Sequence, residues 1–166
     1  MTILNSFTLF FFLQSMFLII SIPSSHSTLI EDTCQNTPYY DVCINSLTSN
    51  PTSYSVDVTG LALIMVKVME TKANDALNKI NELEKTGSSA GLSSCASKYN
   101  AILVNDIPSA IEALQKGDPK FAEDGANDAA NEANFCQSDI TGPLTPQNGA
   151  MHNVAIVTAA IVRLLL

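Results

Sequence analysis

Positive charge is scarce in this chain. Eight Lys and Arg stand against 16 Asp and Glu, a formal net charge of −8. So acidic a surface excludes nucleic acid and anionic lipid as natural partners, because both need a basic face. Histidine is scarcer still: His26 falls in the leader described below, leaving His152. A Ser/His/acid triad would have to be built on that one residue, and the sequence offers it no nucleophile-elbow context. The Glu-x-x-His pattern of helical-bundle metal sites is missing as well. Carboxylate pairs are expected only on solvated helix faces, at Glu123-Asp124 and Glu82-Glu84, and their side chains diverge. His152 therefore reads as a helix-surface residue, and neither enzyme chemistry, metal nor cofactor is expected. No Asn-x-Ser/Thr sequon with a non-proline centre occurs, which argues against N-glycosylation.

What is present begins with an apolar run from Phe7 to Ile22, followed by Ser25-His26-Ser27. Small residues at −3 and −1 of a cut before Thr28 make residues 1–27 a secretory signal peptide. The n-region has no Lys or Arg and relies on the terminal amine for its positive charge, while Gln14-Ser15 interrupts the run, which disfavours an anchor helix. Export follows, with no membrane attachment after processing. The apolar C-terminus is not a lipid-anchor signal either, since Arg163 lies within it. Cys34, Cys43, Cys95 and Cys136 all lie beyond the leader. An even count in an exported chain means disulfides, with three pairings open, and the spacings match no common zinc pattern.

The remaining chain reads as helices. Residues 28–56 form a small helical hairpin: Leu29–Gln35, a break at Thr37-Pro38, then Tyr39–Leu47, with Ser49–Ser53 as a loop. A first long helix runs from about Asp57 to Lys85 and buries Leu61, Met65, Val68, Ala73, Ala76, Ile80 and Leu83. Gly87-Ser88-Ser89-Ala90-Gly91 ends it with linker chemistry. A second, Leu92–Gln115, buries Leu92, Cys95, Ala96, Tyr99, Leu103, Ile107, Ala110 and Leu114. Pro108 should kink it near 104–108. The third, Pro119 to about Ile140, has a stripe of small residues (Ala122, Ala126, Ala129, Ala130, Ala133, Cys136) and an acidic outer face that includes Glu123. The fourth, Thr145–Leu165, buries Met151, Val154, Ala155, Thr158, Ile161, Val162 and Leu165. Short connections make neighbours antiparallel, so residues 57–166 are expected to form an all-α, up-down-up-down four-helix bundle.

One corner stands out. Gly117 suits a left-handed helix C-terminus, Asp118 is placed to cap the next helix, and Pro119 fits its first position. Lys120 and Phe121 then lie near the apex. Corner chemistry alone favours the bland interpretation, with Phe121 in the core and Lys120 in solvent.

The whole mature chain resembles the plant invertase/pectin methylesterase inhibitor family. The resemblance is carried by Thr33-Cys34-Gln35-Asn36-Thr37-Pro38 through Cys43, by Leu61–Val66, and by Cys95 with Tyr99. It continues through Pro108–Leu114, Lys116–Gly125 and Asn153-Val154-Ala155. It implies the pairings Cys34–Cys43 and Cys95–Cys136, with the hairpin packed out from or over the bundle. It also implies that Pro119, Lys120 and Phe121 enter the sucrose site of an acid invertase of the cell wall or vacuole, forming a protein–protein complex. Inhibitors of pectin methylesterase usually lack Pro-Lys-Phe at this corner and present more of their bundle face. That target, or a non-inhibitory bundle, is the alternative. Secretion to the cell wall or apoplast is expected, with the vacuole as alternative.

Overall fold

The computed structural model describes residues 25–166. The apolar run and most of the expected signal peptide lie outside them. Seven α-helices follow: α1 (Ser25–Gln35), α2 (Tyr40–Thr48), α3 (Val58–Thr86), α4 (Ala90–Ala101), α5 (Ile107–Lys116), α6 (Pro119–Asp139) and α7 (Thr145–Arg163). A π-helical stretch, Ile102–Asp106, joins α4 to α5, so these make one long arm. The arms of the bundle are thus α3, α4 with α5, α6, and α7.

Helix starts follow local chemistry. The Asp57 side chain accepts a hydrogen bond from Gly60 N at 2.9 Å, and Ser89 accepts one from Leu92 N at 3.2 Å. The expected loop at 49–53 is instead entered by a 3₁₀ turn, Pro51–Ser55. Asn50 organises it by accepting from Thr52 N at 3.0 Å, and Pro51 needs no donor in the first turn.

The alanine stripe of α6 is buried as expected: Ala122, Ala126, Ala129, Ala130, Ala133 and Cys136. These small side chains let α6 lie against both the α4–α5 arm and α7, while α3 packs on α7 and the α4–α5 arm. On α3 the buried face is wider than one stripe, taking in Ala62, Val66 and Met69, while Val68 and Leu83 are only partly covered. On α7 it also includes Asn148, Val157 and Ala159, and Leu165 is only partly covered. Two neighbours on different sides demand that width. Each large side chain closed off from water, such as Leu61 or Ile80, contributes about 1.5–3 kcal/mol.

The kink expected near Pro108 takes the form of the π stretch. Pro108 has no N–H to offer the preceding turn, and the Ile107 N–H reaches back to Ile102 O. Across the bulge the core positions are Ile102 and Ile107, and Leu103, expected in the core, is only partly covered. Gly125 of α6 lies against this bulge: a Cβ there would sit 3.0 Å from Asp106 O.

Two disulfides, Cys34–Cys43 and Cys95–Cys136, close Cα–Cα distances of 5.5 and 4.8 Å. Ile30, Cys34, Cys43 and Leu47 of the hairpin are buried, and α2 touches both α3 and α7. The hairpin therefore lies over the bundle. Among the described residues no helix is long and apolar enough to cross a membrane.

Candidate functional site: the α5–α6 corner

The turn between α5 and α6 is fixed by backbone bonds on one side and by proline on the other. Gly117 sits at φ 74°, ψ 32°, the left-handed conformation that a side chain would strain. Its N–H donates to Leu114 O at 3.3 Å, and the Asp118 N–H donates to Ala113 O at 2.9 Å. That pair of bonds is a Schellman closure, which satisfies two orphan carbonyls at the end of α5. Pro119, half-buried, opens α6. Asp118 makes no side-chain capping bond, contrary to expectation. With the turn already closed by its own N–H, the corner does not depend on that carboxylate.

Phe121 is 66 % exposed, which excludes the interpretation that it is a core residue. It borders a shallow groove whose other walls include Ser109, Ala113 and Lys116. Lys116 pairs with Glu112 along α5. On the other side of the corner, Pro119 faces a second depression with Thr59, Leu114 and Leu165.

Lys120 is exposed but not bare. Its Nζ donates to Asp124 Oδ1 at 2.8 Å and to Glu123 Oε2 at 3.1 Å. Glu123, expected on the solvated acidic face, is buried at 5 % exposure. Its burial is offset by Arg163 at the end of α7, whose Nε and Nη2 both donate to Glu123 Oε1, Nε at 2.8 Å. The result is a ladder across two helices: Arg163, Glu123, Lys120, Asp124. Hydrogen bonds from Arg163 first, and Lys120 second, hold the Glu123 carboxyl below the usual carboxylate range. Bonds to Asp124 and then Glu123 raise Lys120 above the ordinary lysine value, so it remains a cation at any physiological pH.

The expectation of solvated carboxylate pairs thus fails at Glu123. The spacing of Lys120 from Glu123 and Asp124 was a readable signal for the inner pairs. The Arg163 contact, 40 residues away, had none.

His152 is half-buried, with Nδ1 3.4 Å from Ala130 O, so it is partly enclosed rather than on the open surface. The letters Gly87-Ser88-Ser89-Ala90-Gly91 do spell Gly-x-Ser-x-Gly, but they join two helices and Ser89 is an N-cap, not a strand-borne nucleophile. Among the described residues no three His, Cys, Asp or Glu side chains gather into a cluster that could hold a metal ion.

Residues 28–161 match the plant invertase/pectin methylesterase inhibitor family. The chain belongs to that family. Among its relatives, cell wall / vacuolar inhibitor of fructosidase 1 of Arabidopsis thaliana is 42 % identical over 141 residues, covering 82 % of this chain and 69 % of the relative. Cell wall / vacuolar inhibitor of fructosidase 2 of the same plant is 32 % identical over 125 residues, covering 72 % and 69 %. The fold is also that of a crystallised mutant form of a pectin methylesterase inhibitor from Arabidopsis. There the TM-score is 0.69 at 18 % identity, over 80 % of this chain and 94 % of the other. Within this family fold, the corner is a turn closed by its own backbone bonds that carries half-buried Pro119 and exposed Lys120 and Phe121.

Proposed function

We propose that this protein is a secreted inhibitor of plant acid invertase (β-fructofuranosidase) and that it blocks sucrose hydrolysis with its α5–α6 corner. It is a binding protein and not an enzyme. The observation that carries the proposal is the presentation of Phe121 and Lys120 outward on a turn already fixed by Gly117 and Pro119. Its similarity to relatives named as inhibitors of fructosidase supports the same target class.

The chemistry suits such a target. A retaining glycosidase pocket is lined by carboxylates, and Lys120 offers them a cation. A corner that is ordered before binding avoids the entropy a flexible loop would lose. Phe121 supplies the apolar anchor beside that charge. Because the rest of the surface is acidic, attraction must be local to the corner.

Pectin methylesterase is the alternative target, in keeping with the family's description. Release to the cell wall is the compartment we favour, with the vacuole as alternative, following the names of the relatives. The test is one panel: purified protein assayed against cell-wall invertase, vacuolar invertase and pectin methylesterase. Inhibition of an invertase is expected. Inhibition of the esterase alone, or of none, overturns the proposal.

A further inference from the structure

The ladder gives its four members unequal roles. Glu123 is buried and fixed between two cations, so it cannot follow Lys120 outward. Asp124 is half-exposed and holds Lys120 by the shorter contact. A cation already satisfied by two carboxylates has little to gain from a third, unless one is released. We propose that Asp124 is an internal competitor whose contact Lys120 gives up on docking, while Arg163 neutralises Glu123 so that it positions Lys120 without retaining it. The corner thus carries its own brake, set by Asp124, and its own release, set by Arg163. This rests on the reading of the corner as the inhibitory element.

Several features of the structure favour exchange over a permanent clamp. Lys120 and Asp124 lie on one exposed helix face at (i, i+4), where such a pair is worth little in water and breaks readily. Arg163 donates twice to the far oxygen of Glu123, leaving Oε2 for Lys120. The guanidinium also comes from a different helix, so it holds Glu123 in place whether or not Lys120 moves. Arg163 and Glu123 are therefore positioning residues, and Lys120 is the group that meets the partner.

The experiment measures the dissociation constant of the full mature chain for the invertase it inhibits, with melting temperature recorded for every variant. Asp124→Asn should tighten binding roughly 2- to 5-fold, the range set by one exposed ion pair. Arg163→Gln should weaken it roughly 3-fold or more, and Arg163→Lys should recover part of that loss. Both effects should vanish in a Lys120→Met background. If Asp124→Asn leaves binding unchanged or weaker, Asp124 is no competitor and the proposal is overturned. An Asp124→Asn gain that persists without Lys120 also overturns it, because only long-range charge would then be at work. Should Arg163→Gln fail to fold, the Asp124→Asn and Lys120→Met cycle decides alone. Failure of the underlying reading looks different: Lys120→Met itself would then leave inhibition intact.

Discussion

At Phe121, an aromatic ring two-thirds exposed gives the fold almost nothing, so its loss is expected to register in binding and not in folding. Phe121→Ala should lower affinity for the target enzyme by about 2 kcal/mol or more while leaving the melting temperature unchanged. Lys120→Ala should cost roughly 30-fold or more, because the enzyme carboxylates would face a desolvated gap. The measurement is an inhibition titration beside a thermal melt, and a double mutant that stays folded and inhibits at wild-type strength sinks the corner as the inhibitory element. Resemblance singles out these residues, whereas corner chemistry alone places Phe121 in the core, where the structure does not put it. Position 121 borders the alanine stripe, and helical spacing there permits either face. Glu123 looks solvated from the sequence for a similar reason. A carboxylate next to a buried stripe is assigned to water unless its partner is known, and Arg163 is brought to it only by the packing of α7 on α6.

Among the elements, the π stretch is where local chemistry departs furthest from an ideal rod. Asp106 ends it, half-buried, and its Oδ2 finds no hydrogen-bond partner among the described residues. Desolvation, with Asp128 and Glu132 of α6 adding repulsion, pushes its carboxyl up to about 6. The fold therefore prefers the protonated form. Stability from that preference is complete below the ordinary aspartate range and is lost as pH rises through about 6. With solvent access discounted, the loss between acid and neutral pH is on the order of 1 kcal/mol. Asp106→Asn should flatten that slope in melts taken across pH 4–7, and an unchanged slope assigns it to other groups. Glycine contacts mark a second element-level constraint. A Cβ on Gly91 would stand 2.7 Å from Asp139 O, a backbone atom, so α4 and α6 would have to part. Gly91→Ala is expected to destabilise by about 1–3 kcal/mol in denaturant titration. Pro108 announced a kink in the sequence, but not its π form, because proline removes a donor without choosing how the ladder closes around the gap. Gly91 read only as linker chemistry, since the contact that needs it comes from the far end of α6.

For the molecule as a whole, periodicity was enough to count the four arms, and alanine content was enough to place α6 among close neighbours. Pairing of the cysteines was not legible from spacing alone; the resemblance supplied it and the fold carries it out. The two bridges act at different ranges. Cys34–Cys43 closes nine residues of a hairpin whose buried side chains are few, whereas Cys95–Cys136 spans 41 and ties α4 to α6. In the loop-entropy account the longer closure contributes about 4 kcal/mol and the shorter about 3. Their consequences should nevertheless separate by location. A Cys34→Ser/Cys43→Ser variant is expected to loosen the hairpin, seen as faster amide exchange over α1 and α2, with the bundle and its corner intact. A Cys95→Ser/Cys136→Ser variant should lower the global melting transition, and inhibition should fail only as the bundle unfolds. The reasoning is positional: the α5–α6 corner is closed by its own backbone bonds and by the Arg163–Glu123 contact, none of which passes through the hairpin. Loss of inhibition in the hairpin variant at full bundle stability would mean that α1 and α2 touch the enzyme as well, and the contact surface would have to be extended from the corner to that end of the chain.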